Sequence, residues 1–129
     1  CKGNIRMVDK PGQVFSRIHV DDIAGATMHL ISLAEKGQKP LIVNIADNVP
    51  ASNIDVLRFA GKLLDQSLPP LEPFEIAKSK MNPMALSFWQ ENRRIKNRLL
   101  CEELGYQLLH PDYKCGLKDC FEEDLKLKK

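Results

Sequence analysis

Apolar and polar positions change period several times along the chain, and each change marks an element. Ile5-Arg6-Met7-Val8 alternates, as does part of Val14 to Val20, which is the period of half-buried strands. Lys10-Pro11-Gly12-Gln13 lies between them. Proline presets φ at the second turn position and glycine accepts positive φ at the third, so a type II turn closing a hairpin is expected. From about Asp22 to Lys36 the period becomes helical, with Ile23, Thr27, Leu30, Ile31 and Ala34 on one stripe. Asp21 is the expected N-cap, Asp22 adds charge suited to the helix start, and Gly37 ends the helix. Leu41 to Ala46 is a β-branched apolar run bounded by Pro40 and Asp47-Asn48, which predicts a buried strand.

Ser52-Asn53-Ile54-Asp55 is a close relative of the capping box and predicts a second helix with Ile54, Leu57, Ala60, Gly61 and Leu64 inward. Pro69, Pro70, Pro73 and Pro83 forbid a long helix over Ser67 to Pro83 and leave room for a short turn at Phe74 to Ala77. Met84 to Gln90 reads as a short helix. Asn97 is the expected cap of another, from about Arg98 to Leu104, stopped by Gly105. Asp112 caps the last, where Tyr113, Leu117, Cys120, Phe121 and Leu125 repeat at helical spacing before a fraying Lys126 to Lys129 end. The fold class is α/β, partial, with few short strands and about five helices, too few strands for a complete doubly wound sheet.

Composition narrows the function classes. A net charge of +2 gives no whole-chain field for nucleic acid or membrane. No apolar run approaches the about 20 residues that span a bilayer, and no signal peptide is expected. Cys1, Cys101, Cys115 and Cys120 form no C-x-x-C pair, and no histidine stands at zinc-finger spacing from them. Free thiols in a reducing, cytoplasmic compartment are expected, although Cys115 and Cys120 are close enough in sequence to pair.

Among the seven glycines none stands at G-x-G or G-x-x-G spacing from another, so a phosphate-cradling dinucleotide loop is absent from this chain. Tyr106 is followed four later by His110, and Tyr113 by Leu117, so neither begins a Tyr-x-x-x-Lys pair. His19 with Asp21 and Asp22 is a site-like cluster capable of acid/base work or metal binding. Its place at a strand-to-helix junction assigns it to structure instead. Arg93-Arg94-Ile95-Lys96-Asn97-Arg98 is the basic cluster, suited to a phosphate or carboxylate. No stacking pattern accompanies it, so nucleic acid is the disfavoured partner. Met81, Met84, Phe88 and Trp89 gather apolar bulk that either lines a pocket or plugs a core.

Several segments together resemble a family. Phe15-Ser16-Arg17-Ile18-His19-Val20-Asp21-Asp22-Ile23-Ala24 resembles the strand-to-helix segment of the NAD(P)-dependent epimerases/dehydratases, the extended short-chain dehydrogenases/reductases. Val43-Asn44-Ile45-Ala46-Asp47 with Ser52 is similar to the family's next strand and helix. Asn92 to Asn97, Glu103-Leu104-Gly105-Tyr106, Pro111-Asp112-Tyr113 and Gly116-Leu117 are similar to its C-terminal run. The Pro83 to Arg94 stretch looks most like a sugar-nucleotide epimerase-like subgroup. Phe15 and Ser16 stand where many nucleotide-sugar members carry arginine, and Lys96 and Asn97 where a carboxylate is expected. Both departures weigh against a nucleotide-diphosphate-sugar substrate.

The resemblance implies that residues 1–129 are the C-terminal, substrate-binding region of such an enzyme, without its dinucleotide-binding domain. NAD(P) is implied for the whole enzyme and a small molecule as its substrate. Arg93 or Arg94 would meet an anionic substrate group, with Met84, Phe88 and Trp89 as apolar lining. No catalytic, cofactor-binding or metal residue is assigned, and the chain alone is not expected to turn over substrate. The alternatives are a stand-alone binding or interaction module and a small RNA-binding protein using Arg93 to Arg98. An incomplete sheet leaves an open edge and apolar surface that invite self-association or a partner. The missing glycine loop makes one expectation measurable. The 129-residue chain should leave NADH fluorescence unchanged on titration, and tight binding would contradict this reading.

Overall fold

The structure, a computed structural model, describes residues 5–38 and 42–127. It divides into two compact units. The first holds residues through Phe15 together with Ala51–Arg94, and the second holds Ser16–Pro50 and Ile95–Lys129.

In the first unit, the expected turn forms and the expected hairpin does not. Gln13 N donates to Lys10 O at 3.1 Å, and Gly12 takes φ +77°, as a type II turn requires. The strand before it, β1 (Met7–Asp9), pairs instead with β2 (Leu71–Pro73), in parallel, with Met7 opposite Leu71. Arg6 and Lys80 both bind the Glu72 carboxylate, at 2.6 and 2.7 Å, and these bonds hold Glu72 below the usual carboxylate range. Beyond the turn the chain is clamped elsewhere. Asn92 accepts from Val14 N at 3.1 Å and donates to Gly12 O at 2.9 Å, while Phe15 bridges Ala51 antiparallel. Residues 12–15 therefore cannot fold back along β1.

Helix α2 (Asn53–Leu63) starts where the capping pattern predicts: Ser52 Oγ accepts from Asp55 N at 3.0 Å. Gly61 is its buried position, whereas Leu64 points outward at 53% exposed. Short helix α3 (Phe74–Ala77) runs into a 3-10 turn, Lys78–Lys80. Helix α4 (Pro83–Gln90) has proline at its first position and Asn82 as cap, accepting from Ala85 N at 2.7 Å. Met7, Val8, Ala51 and Ala77 form the buried apolar centre of this unit.

In the second unit, α1 (Val20–Glu35) begins two residues earlier than expected. Its cap is His19 rather than Asp21: His19 Nδ1 accepts from Asp21 N at 3.3 Å. The predicted stripe is also rotated. Asp22 and Ala26 are buried, whereas Ile23 and Ile31 are 44% and 48% exposed and Thr27 faces solvent. The apolar run at 42–46 takes no regular secondary structure and forms no ladder among the described residues, and Leu41 lies outside them. A strand needs a partner edge, and none is supplied here. The helix expected at Arg98 to Leu104 is instead a π turn at Leu99–Glu103, with Leu104 N donating to Leu99 O at 2.9 Å. The cap position is Arg98, which makes no side-chain cap bond, and the Asn97 amide donates instead to Ala46 O and Asn48 Oδ1, at 2.9 and 2.8 Å. Helix α5 (Tyr113–Leu127) starts as predicted, with Asp112 Oδ1 accepting from Lys114 N and Cys115 N at 2.8 and 2.9 Å. Its inward position is Gly116, while Cys120 and Leu125 are exposed. Cys101, Cys115 and Cys120 are free thiols, so the Cys115–Cys120 pair does not form, and Cys1, Lys128 and Lys129 lie outside the described residues.

Among the described residues no helix is long and apolar enough to cross a membrane. The Ser52 cap gives a direct check on α2. Ser52→Ala should lower stability by about 1 kcal/mol in urea unfolding, and an unchanged midpoint would remove the cap from the account.

Candidate functional site

The residues singled out from the sequence divide by surroundings. Trp89 packs inward on α4, edge-on to Phe15 at 5.5 Å between ring centroids and tilted against Phe74 at 5.9 Å. Lys10 binds the Trp89 carbonyl and lies 4.7 Å from the centre of the Phe74 ring. Met84 and Phe88 sit one helical turn apart on α4 and are exposed at 73% and 65%. Arg93 pairs with Glu91 at 2.7 Å, and Arg94 is exposed. Arg98, of the second unit, pairs with Glu103 at 3.1 Å.

A denser polar arrangement lies in the second unit, and it centres on Asp22. This carboxylate is fully buried on α1. Oδ1 accepts from the Tyr106 hydroxyl at 3.1 Å and from Leu109 N at 2.7 Å, and Oδ2 accepts from His110 N at 2.9 Å. Burial, together with the bond donated to Asp22, raises the Tyr106 phenol above its ordinary value. A raised phenol contributes stability that is complete below its ordinary pKa of 10.0 and is lost as pH rises through the folded value. Nearby, burial lowers the Arg17 guanidinium and raises the Asp47 carboxyl, each partly offset by attraction to the other.

His110 is drawn in beside Asp22. Its side chain is 7% exposed, its Nε2 lies 2.8 Å from Asp119 Oδ2, and its Nδ1 is buried without a hydrogen-bond partner, 3.5 Å from Asp22 Oδ2. The His19 ring stacks on it, with centroids 3.8 Å apart and planes tilted by 32°. The Cδ2 edge of His19 abuts Gly116, where a Cβ would come within 2.8 Å of that carbon. His19 Nε2 lies 3.3 Å from Cys120 Sγ. His19, His110 and Cys120 line a cleft of about 440 Å³ with Asp21, Leu109, Asp119, Glu122, Glu123 and Lys126.

Chemically the cleft favours cations. His19, Asp21 and His110 present donor atoms within 4.8 Å of one another. Imidazole lone pairs lie in the ring planes, however, and two stacked rings do not converge on one ion. This trio is therefore a poor chelate, although each member is a good ligand alone. Sequence reasoning named His19, Asp21 and Asp22 and assigned them to structure, with Asp21 as the cap; in the structure His19 takes the cap position and Asp22 is a buried acceptor. It missed His110, Asp119 and Cys120. His19 and Cys120 are 101 positions apart, and no spacing rule links them.

The network makes a stability prediction. Asp22→Asn replaces an oxygen acceptor with a donor facing backbone N–H groups, and should cost about 3 kcal/mol in urea unfolding. Tyr106→Phe should cost about 1 kcal/mol. Equal costs for the two variants would contradict an Asp22-centred network.

No family model matches the sequence, and no curated protein does. Among the solved structures that are similar, two match over nearly all of it. A functionally unknown conserved protein from Silicibacter pomeroyi superposes with a TM-score of 0.82 at 40% identity, over 93% of this chain and 42% of that one. The human epimerase family protein SDR39U1 (isoform 2), crystallised with NADPH, superposes with a TM-score of 0.73 at 20% identity, over 91% of this chain and 38% of that one. The chain thus spans about two fifths of the length of the structures it matches. Its small mixed α/β architecture is similar to part of an epimerase-family fold.

Proposed function

We propose that the chain is the C-terminal, substrate-side region of an NAD(P)-dependent epimerase/dehydratase-like oxidoreductase of the extended short-chain type, and that it is not catalytic alone. In the whole enzyme the nicotinamide cofactor exchanges hydride with a carbinol carbon while the protein orients the substrate. Arg93 or Arg94 would engage an anionic substrate group, and Met84, Phe88 and Trp89 would supply apolar walls. The observation that carries this reading is the fold likeness to an epimerase-family protein crystallised with NADPH, over only part of its length.

The second unit adds support. Helix α1 is apolar on two sides: Ala26, Leu30 and Leu33 face inward, while Val20, Ile23, Met28 and Ile31 are exposed. Residues 42–46, a β-branched run, form no ladder among the described residues, and Ile42 is 81% exposed. A helix apolar on both sides and a strand-like run without an edge both suit a position against a further sheet.

Two measurements test the proposal. The coding sequence upstream of Cys1 should contain a Gly-x-x-Gly-x-x-Gly loop and a Tyr-x-x-x-Lys pair, and their absence would refute it. Light scattering on the 129-residue chain should show dimers or larger species through the exposed α1 face. A clean monomer that binds no apolar dye would favour a stand-alone binding module instead.

A further inference from the structure

His19 Nε2 and Cys120 Sγ stand 3.3 Å apart on the wall of the second unit's cleft. That separation is close to the bite of a metal chelate. An ion held about 2.3 Å from sulfur and about 2.0 Å from an imidazole nitrogen, at a near-tetrahedral angle, keeps the two ligand atoms about 3.5 Å apart. We propose that this cleft binds a borderline-soft divalent transition-metal ion of the zinc class, ligated by His19 Nε2 and Cys120 Sγ.

Three features of the surroundings agree. The first is charge. Asp21, Asp119, Glu122 and Glu123 line the cleft, against Lys126. Such a wall repels an anion and is stabilised by a cation. Thiolate and imidazole donors then select a zinc-class ion over magnesium or calcium.

The second is rigidity. The His19 ring is stacked on His110 and its Cδ2 edge abuts Gly116, so its ligand nitrogen is placed before any ion arrives. Cys120 is on α5, which starts at the Asp112 cap.

The third is the outer partner of the histidine. Asp21 Oδ2 lies 3.5 Å from His19 Nδ1. With Nε2 on the metal, Nδ1 carries the ring proton and faces this carboxylate, the arrangement that orients most metal-bound histidines. The long Asp21 N to Nδ1 contact, at 3.3 Å, is given up in exchange. Glu123, one turn beyond Cys120 on α5, also lines the cleft, and water fills the remaining positions. As the Sγ–metal bond forms, the thiol proton passes to solvent, and no electron changes hands.

The test is a titration of the metal-free chain with Co2+ and then Zn2+. Cys1 is first replaced by serine, so that this thiol contributes nothing. The expected result is a single ion per chain with a sulfur-to-cobalt charge-transfer band in the near ultraviolet, which Zn2+ removes. Cys120→Ser and Cys120→Ala should lose the band while keeping the circular dichroism of the folded chain, and Cys115→Ser should keep both. Asp21→Asn should weaken Zn2+ affinity about tenfold, a change that a purely helix-starting role would not produce. Absence of the band, its survival in folded Cys120→Ala, or its loss in Cys115→Ser would each overturn the proposal.

Discussion

The second unit depends on keeping the Asp22 carboxylate paired. A charge taken out of water costs several kcal/mol unless donors occupy its oxygens. Here the donors come from one distant stretch: the Tyr106 hydroxyl and the backbone N–H groups of Leu109 and His110. Helix α1 and the segment leading to α5 therefore cannot part without stranding a buried charge. Gly25 leaves the space that the Tyr106 hydroxyl fills, so the helix surface is shaped to the same contact. The rest follows in order. Holding His110 at Asp22 places its ring for stacking, the stack fixes His19, and His19 both caps α1 and forms one wall of the cleft.

What was legible in the sequence was local. The Lys10–Gln13 turn, the Ser52 and Asp112 caps and the helix stops at Gly37 and Gly105, both at positive φ, are decided within a few residues, and each stands where the pattern placed it. Elements that depend on a remote partner were not legible. Strand β2 ends on Pro73, and a proline-rich stretch gives no strand signal. Its pairing with β1 rests on contacts more than sixty positions away. Asn97 reads as a helix cap from its neighbours, yet Ala46 O and Asn48 take its amide. The candidate cleft is of the same kind, since His19, His110 and Cys120 meet only after both helices are in place.

The orientation of α1 shows two forces in competition. Its sequence offers apolar residues on both sides, so periodicity alone cannot choose the inward one. Burying the half-exposed Ile23 and Ile31 would gain roughly 1 kcal/mol each from apolar area. Turning the helix to do so would carry Asp22 away from its three donors, and hydrogen bonds to a charged group are worth about 1.5–3 kcal/mol apiece before the cost of leaving the charge unpaired. The polar network outweighs the apolar stripe, and the isoleucines face outward. A unit folded this way is specified by one buried carboxylate more than by apolar burial. Its fully buried apolar side chains among the described residues are Ala26, Ala46 and Leu100, two of them the size of a methyl group. The larger apolar groups of α1 are thereby left exposed on its outer side, and covering them would stabilise the unit without disturbing the Asp22 contacts.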